Sequence, residues 1–181
     1  MLLGLLGEGP RSGYDLRKLL TQSPLRAFSD SPGAIYPALR RLLARKWVDA
    51  RATGGGRGRQ EFRLNRRGQQ ALRKWLQQPV TRDDVVLRGG DLMLRCAFMD
   101  FVLPPSAIRR FLSGYLAEME SYLEVLRDYE AEHGPKMPPL ARRVFRHGLA
   151  GYEMSVAWAR DARAALGGAA KTVGGRQRRQ R

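Results

Sequence analysis

The feature that most constrains the fold is a glycine-rich loop at 54–59 with a short alternating run on each side of it. Apolar residues alternate with polar ones across 48–52 before the loop and across 62–64 after it. Such alternation over a few residues is typical of short strands, and glycine permits the chain to reverse between them. The sequence therefore predicts a two-stranded hairpin, or wing, whose tip carries the cations Arg57 and Arg59.

Helical segments lie on both sides of the predicted wing. A leucine-rich segment at 2–6 ends at a run of helix breakers, and a second helix begins at Ser12, which forms an S-x-x-D capping pattern with Asp15. A third helix precedes the wing, and Asn65 is the expected N-cap of a fourth, which ends at Pro79. Three helices and a wing are the layout of a winged helix-turn-helix domain. The predicted fold class is therefore mainly α, with this domain first and an all-α domain after it.

The third helix has its own start signals. Ser31 is the expected N-cap, and Pro32 occupies the first helical position, where its missing N–H costs no hydrogen bond. The helix is predicted to extend to about Lys46. Pro37 would lie just past the first turn, so we expect a slightly distorted start to this helix.

The outward side of the third helix is the predicted DNA-reading surface, because the last helix of such a trio enters the major groove. Arg40 is the candidate for bidentate recognition of a guanine, whereas Ser31 and Tyr36 are assigned to phosphates. An arginine face on a helix is also typical of ordinary solvated surface, so spacing alone leaves both interpretations open. The candidate DNA-binding residues are Ser31, Tyr36, Pro37, Arg40, Arg41, Arg57 and Arg59.

Charge is segregated along the chain. Residues 1–80 contain 16 Lys and Arg against 5 Asp and Glu, residues 81–166 contain 12 of each, and residues 167–181 contain 5 cations and no anions. A cation excess confined to particular segments indicates a polyanionic partner, namely double-stranded DNA. The alternative is a basic surface that serves solubility alone.

The second half is predicted to be helical throughout. The segment 106–132 carries apolar residues in alternating steps of four and three, which is a heptad stripe. This stripe can pack against the last helix of its own chain, at 140–166, or form a seam between two subunits. On that last helix Gly148 and Gly151 would permit the close approach of a neighbour. The stripe consists of Ile108, Leu112, Tyr115, Met119, Tyr122, Leu126 and Tyr129.

The patterns divide the chain into three parts. The expected domains are a winged-helix DNA-binding domain at 1–78, a helical dimerisation domain at 79–166 and a disordered basic tail at 167–181. The tail is assigned to disorder because glycine and arginine dominate it.

Three segments also carry a family resemblance. Residues 12–16 (SGYDL), 31–42 (SPGAIYPALRRL) and 62–68 (FRLNRRG) resemble the PadR family of regulators, and the pattern in 31–42 is specific. The resemblance covers roughly residues 2–78. The helical remainder resembles, by pattern, the longer C-terminal domain of a subgroup related to virulence activators.

The resemblance implies a cytoplasmic homodimeric regulator, usually a repressor, with a winged-helix head and C-terminal dimerisation helices. By position it assigns DNA contacts on the third helix to Ser31, Tyr36 and Arg40, and it places Arg57 and Arg59 on the wing. It also favours a seam between subunits for the heptad stripe. The zero net charge of that region would let two subunits meet without repulsion.

Three positions depart from the family pattern. Lys46 stands where glycine is common, and a lysine in the left-handed conformation would cost on the order of 1 kcal/mol. Asn65 replaces the usual threonine and keeps the capping function. The first helix begins almost at Met1, so either the natural start lies upstream or this helix contributes less to the dimer.

Some members of the family bind phenolic or drug-like molecules between the head and the C-terminal helices. The candidate ligand here is therefore a small aromatic effector. The opposing interpretation is that the aromatic residues simply build the core, which is their more common role at helical spacing. The candidate pocket residues are Trp75, Phe98, Tyr152 and Trp158.

The sequence offers little for catalysis. His133 and His147 lie 14 residues apart and Cys96 is the single cysteine, so no zinc spacing is present, and neither a metal nor a cofactor is expected. The loop at 54–58 lacks the Lys-Ser/Thr of a phosphate-binding P-loop. No catalytic residue is assigned, and we expect no enzyme.

The lone cysteine predicts a reducing compartment, and no apolar run approaches the roughly 18–20 residues of a membrane span. The expected location is the cytoplasm, in association with the nucleoid. The sequence thus predicts a sequence-specific DNA-binding transcriptional regulator, a repressor that acts as a homodimer. The alternative is a nonspecific nucleic-acid-binding or architectural protein.

Overall fold

Residues 1–22, 32–53 and 60–176 are described by a computed structural model of the chain. They divide into two compact units. The head unit comprises Met1–Gln78 and Gly90–Pro104, and the helical unit comprises Pro79–Gly89 and the chain from Pro105 onward. The sequence had assigned all of 79–166 to the second domain, so the return of 90–104 to the head differs from that assignment.

The head unit contains five helices and a small sheet among its described residues. Its helices are α1 (Leu2–Gly7), α2 (Gly13–Gln22), α3 (Ile35–Ala44), α4 (Arg66–Leu76) and α6 (Gly89–Met99, from Gly90 onward within this unit). Its strands are β1 (Arg11–Ser12), β2 (Val48–Ala52) and β3 (Gln60–Leu64), which form an antiparallel sheet in the order β1-β3-β2. The winged-helix fold class is confirmed. The strand β1 was not predicted, because two residues are too few to show alternation.

Among the described residues of the wing, those at its base are packed on the core. Val48 pairs with Leu64 and both side chains are buried, as is that of Phe62. The side chains of Ala50 and Ala52 are exposed although they continue the alternation. The outer part of β2 therefore leaves the core, as a strand of a wing must if the wing is to reach a partner.

The capping pattern predicted at the start of α2 is present. The Ser12 hydroxyl accepts a hydrogen bond from the Asp15 backbone N–H at 3.1 Å, and an Asp15 carboxylate oxygen accepts from the Ser12 backbone N–H at 3.2 Å. This reciprocal pair satisfies two donors at the helix start. It fixes where α2 begins, and Leu16 and Leu20 then point into the core.

The start of α3 is distorted, as Pro37 predicted. A 3₁₀ turn at Pro32–Ala34 precedes the α-helix, which begins at Ile35. Pro37 is therefore the third residue of the α-helix, where a backbone N–H would have no partner within the helix in any case. The expected N-cap, Ser31, lies outside the described residues.

Residues 90–104 join the head through α6. A Cβ atom on Gly4 of α1 would lie 2.3 Å from the Phe98 ring, so the two helices meet with no side chain between them at that point. Arg95 is buried and donates to the carbonyl oxygens of Leu76, at 3.2 Å, and of Gln78. A guanidinium at the end of α4 satisfies carbonyls that the helix leaves without partners.

The helical unit is built on a pair of long helices. Its helices are α5 (Arg82–Leu87), α7 (Pro105–His133) and α8 (Pro139–Arg176), with a 3₁₀ turn at Gly134–Lys136. A capping box between Thr81 and Asp84 starts α5. The last helix extends to Arg176, ten residues past its predicted end at Leu166. The disorder expected for the tail stays a prediction, and 177–181 lie outside the described residues.

Aromatic pairs join α7 to α8. Tyr115 meets Trp158 at 6.1 Å between ring centroids, Tyr122 meets Tyr152 at 5.1 Å, and Tyr129 meets Phe145 at 5.5 Å. As the residue number of the α7 partner rises from 115 to 129, that of the α8 partner falls from 158 to 145. The two helices are therefore antiparallel. The tyrosines recur every seven residues, as a heptad stripe requires.

The heptad stripe therefore packs within its own chain, the first of the two alternatives that the sequence left open. Ile108, Leu112, Tyr115 and Met119 are 1–7% exposed. Side chains covered to that extent can contribute no appreciable area to a subunit interface unless the helix pair opens. Tyr122 and Leu126 are partly exposed, and Tyr129 is exposed.

Candidate nucleic-acid interface

The outward side of α3 carries the described members of the predicted DNA-binding set. Ile35 and Leu39 are buried on the opposite side. Tyr36, Arg40 and Arg41 are exposed, and Pro37 is partly exposed. Arg40 follows Tyr36 by four positions, about one helical turn, so the two side chains lie next to each other on the same face. The wing-tip residues Arg57 and Arg59 lie outside the described residues.

The side chain of Tyr36 is positioned by a glycine on the neighbouring helix. A Cβ atom on Gly13 of α2 would lie 2.7 Å from Cε1 of the Tyr36 ring. The ring therefore rests against the start of α2, and it is still 47% exposed. A side chain so placed is held by packing and remains available to a partner.

Sequence reasoning missed an exposed stripe on α2. Tyr14 is 63% exposed, and Arg17 and Lys18 are exposed as well. Their spacing of three and four residues places all three on one face of the helix. In helix-turn-helix docking the first helix of the pair crosses the DNA backbone, where cations meet phosphates. The spacing was visible in the sequence, but only the capping residues of this helix were singled out there.

The end of α3 is a Schellman motif with lysine in the position that glycine usually takes. The Trp47 N–H donates to the Leu42 carbonyl at 3.0 Å, and the Lys46 N–H donates to the Leu43 carbonyl at 2.8 Å. Lys46 has a φ of 54°, the left-handed conformation expected for this departure from the family pattern. The backbone thus leaves α3 along the same path that a glycine would give it, at a cost in strain.

Asn65 ties three elements together at the base of the wing. Its side-chain oxygen accepts from the Gly68 N–H at 3.1 Å, which caps α4 as predicted. Its amide nitrogen donates to the Lys46 carbonyl and to Asp49 Oδ1, each at 3.1 Å. Threonine could cap the helix but has no amide to donate both of these bonds. Asn65 therefore joins the end of α3 and the start of β2 to α4.

The stem of the wing is electrically balanced. In the register of the hairpin Asp49 lies opposite Arg63, and Arg51 lies opposite Glu61. Opposite charges in directly paired positions attract each other across the strands. Other cations of the head have no oppositely charged residue across a strand. Among the described residues they include those on the exposed faces of α2 and α3, and a polyanion would be attracted to these faces.

Residues 2–74 match the family model described as the transcriptional regulator PadR-like family. This segment is therefore a PadR-like domain. Residues 90–167 match a second model, described as the virulence activator alpha C-term. Both family expectations from the sequence are confirmed, and the two matches follow each other along the chain in the expected order.

Solved structures of PadR-like regulators are similar to this chain over most of its length. The regulator BC1756 from Bacillus cereus is 23% identical over 92% of this chain and 96% of its own, with a TM-score of 0.41. Bacillus subtilis PadR in complex with operator DNA is 23% identical over 91% and 94%, with a TM-score of 0.40. The same protein with p-coumaric acid is 21% identical over 91% and 92%, with a TM-score of 0.38. No curated protein sequence matches the chain.

The aromatic residues proposed to line a pocket belong to two different units. Trp75 and Phe98 are in the head unit, where Phe98 is buried against Gly4. Tyr152 and Trp158 are in the helical unit, where each packs on a tyrosine of α7. Three of the four thus have packing contacts within their own unit, as the opposing interpretation expected. A pocket formed by all four stays a prediction.

The described residues contain no group of three or more His, Cys, Asp or Glu side chains that could hold a metal ion. Burial raises the pKa of the Cys96 thiol to about 11, so the thiol stays protonated near neutral pH, which disfavours a role as a nucleophile. Within the same described ranges, no helix combines the length and apolar character that crossing a membrane would require.

Proposed function

We propose that this PadR-like chain is a sequence-specific DNA-binding regulator that represses transcription as a homodimer in the cytoplasm. The observation that carries the proposal is the exposed side of α3, where Tyr36 and Arg40 stand among small residues. That helix belongs to a region with 16 Lys and Arg against 5 Asp and Glu in residues 1–80. An exposed helix face that carries arginines, on a strongly basic head, is the arrangement that a major groove accommodates.

The proposed DNA contacts are of two kinds: contacts with base edges, which recognise the sequence, and contacts with phosphates, which position the protein on the duplex. Arg40 would form the bidentate hydrogen bonds to guanine, the commonest specific contact in the major groove. Tyr36, Arg41 and Ser31 would bind phosphates, and Pro37 adds little bulk, so the backbone could approach the DNA closely. On α2, the exposed Arg17 and Lys18 would bind the backbone that this helix crosses, and the wing arginines Arg57 and Arg59 would reach phosphates or the minor groove.

The proposed dimer surface is an exposed apolar stripe on α8. Leu140, Val144, Met154 and Trp158 lie on one side of this helix and are all exposed. Nothing lies within 4 Å of the position of a Cβ atom on Gly148 or Gly151, so the middle of the helix is open to a second backbone. The exposed end of the α7 stripe, from Tyr122 to Tyr129, would extend this surface.

A second copy of the chain is the occupant that the charges favour. Residues 81–166 contain 12 cations and 12 anions, so two copies can approach without net repulsion. Two heads in such a dimer would bind half-sites about 34–36 Å apart, one turn of DNA. The proposed operator is therefore a palindrome, and repression would follow from its occupation.

The test compares DNA fragments of equal length at one salt concentration, because phosphate contacts depend strongly on salt. The upstream DNA of the chain's own gene should bind more tightly than a scrambled fragment, and a footprint should cover a palindrome. Arg40→Ala should reduce the preference by about 1–3 kcal/mol. The matched control is Arg110→Ala, which removes an exposed arginine from α7 in the helical unit. Equal affinity for both fragments would contradict the proposal and favour nonspecific binding.

A further inference from the structure

Residues 167–181, here called the basic segment, carry a charge that the proposed DNA contacts of the head do not use. The segment contains five cations and no acidic residue, and the last acidic residue before it is Asp161. A run of cations without interspersed anions produces a local positive field that attracts a polyanion. The five cations are Lys171, Arg176, Arg178, Arg179 and Arg181.

The register between α7 and α8 shows where the basic segment begins. Tyr115 is level with Trp158, whose ring it meets at 6.1 Å. Because the helices are antiparallel, the first residue of α7, ten positions before Tyr115, is level with about position 168 of α8. In agreement, the Arg109 guanidinium donates to the Leu166 carbonyl at 3.1 Å. The basic segment therefore begins beside the start of α7.

The backbone of α8 projects past the start of α7. It stays helical to Arg176, eight residues beyond position 168, which is about 12 Å at the rise of an α-helix. The first residue of α7, Pro105, directly follows Pro104, the last residue of the head unit. The basic segment thus leaves the helical unit at an end that is covalently connected to the head.

The rest of the chain offers the basic segment little negative charge. Residues 81–166 contain 12 cations and 12 anions, and residues 1–80 have an excess of cations. Several carboxylates of the helical unit are also already paired with arginines. These are Asp84, Glu118, Glu120, Glu130 and Glu153, at nitrogen–oxygen distances of 2.6–3.4 Å. The charges therefore favour a polyanion from outside the chain as the partner of this segment.

We propose that the basic segment binds phosphates of the same DNA duplex that the head binds, an inference that rests on the proposed DNA-binding function. A duplex carries one negative charge per about 1.7 Å of its axis, so it can meet closely spaced cations. Once the head is bound, the segment meets the duplex at a high effective concentration, because both belong to one chain. Phosphate contacts carry no sequence information, so the segment strengthens binding to every sequence alike.

The experiment uses the full chain with three arginines of the segment replaced together, Arg178→Gln, Arg179→Gln and Arg181→Gln. The matched control replaces the same three arginines with lysine, which keeps the charge. Affinity is measured at several salt concentrations for the upstream fragment and for a scrambled fragment of equal length. Thermal unfolding of the three proteins should coincide, which checks that the helix pair is intact.

We expect the glutamine variant to bind both fragments more weakly than the unaltered chain, with the largest difference at low salt. Its slope of log K against log salt should be smaller by about two to three for each bound subunit, since each phosphate contact contributes about 0.9. The ratio of affinities for the two fragments should not change. The lysine variant should keep the slope of the unaltered chain.

The outcomes separate this proposal from the proposed function. If the unaltered chain prefers the upstream fragment and the glutamine variant has an unchanged slope, the segment does not bind DNA and the function of the head stands. If the unaltered chain binds both fragments equally and the glutamine variant has a smaller slope, the segment binds DNA and sequence-specific regulation is contradicted. Equal weakening by glutamine and lysine, or tighter binding by the glutamine variant, would overturn the proposal, because neither follows from a lost phosphate contact.

Discussion

The backbone carbonyl oxygen of Trp47 lies 2.0 Å from the position that a Cβ atom on Gly68 would occupy. The first turn of α4 thus passes directly against the turn that joins α3 to β2. The first turn of α4 donates the Gly68 N–H to the Asn65 side-chain oxygen, and the Lys46 carbonyl in the turn between α3 and β2 accepts a hydrogen bond from the Asn65 amide. The position of the wing relative to α3 therefore depends on a contact that only glycine permits.

Gly68→Ala should destabilise the head, because the added methyl group must displace backbone rather than a flexible side chain. Overpacking of this kind costs about 1–3 kcal/mol, and more where the backbone cannot move. Chemical denaturation measures the loss. The matched control is Gly114→Ala on α7, where nothing lies within 4 Å and alanine should stabilise the helix by about 0.5–1 kcal/mol. Equal effects at the two positions would contradict the clash.

Lys46→Gly should raise the free energy of unfolding by up to about 1 kcal/mol, because glycine adopts the left-handed conformation without strain. Denaturant titration of the two proteins gives the difference. Arg45→Gly is the control one residue earlier, where φ is −76° and glycine should lower stability. A loss of stability in Lys46→Gly would show that the strain at Lys46 is smaller than the entropy glycine adds to the unfolded chain.

Arg17→Ala should weaken binding to every DNA sequence and leave the ratio between specific and scrambled DNA unchanged. A side chain that binds phosphate carries no sequence information, and its loss should lower the salt slope of log K by about one. The measurement is the affinity at several salt concentrations. Arg163→Ala, an exposed cation of α8, removes the same charge outside the proposed interface. An unchanged slope for Arg17→Ala would place α2 away from the DNA.

Local signals explain which parts of the fold the sequence predicted. The caps at Ser12 and Asn65 act through residues three positions away, so a short window of sequence contains both partners. The distortion at Pro37 and the left-handed Lys46 likewise follow from the residue itself and from the family pattern. Each of these features was predicted and is present.

Partners distant along the chain explain what the sequence missed. The apolar residues of α6 recur at helical spacing, but this pattern is the same whether they cover α1 or another helix. Only the structure places Phe98 against Gly4. The stripe on α7 has the same spacing for a partner in its own chain as for one in a second subunit.

Val144→Glu should weaken the proposed dimer, because it places a charge in the middle of the exposed stripe on α8. Burying an unpaired carboxylate in an interface costs several kcal/mol, so the population should shift toward monomer at micromolar concentration. Mass measurement in solution gives the ratio. Leu87→Glu on α5 places the same charge at an exposed apolar position outside the proposed surface, 75% exposed against 64% for Val144, and should leave the dimer intact. If the unaltered chain is a monomer at this concentration, as the variant is, the proposed dimer is contradicted.

The hairpin of α7 and α8 should lose stability in acid through Glu130. Hydrogen bonds from Arg142, and then from Arg146, hold the pKa of this carboxyl below its ordinary value. A carboxyl whose pKa is depressed by folding stabilises the folded state above its unfolded pKa, and this contribution disappears as the pH falls through the folded value. Glu130→Gln should therefore lower the melting temperature at pH 7 and have a smaller effect near pH 3. The control is Glu132→Gln, whose side chain is 75% exposed. If Glu130→Gln lowers the melting temperature by the same amount at both pH values, Glu130 acts through packing and not through its charge.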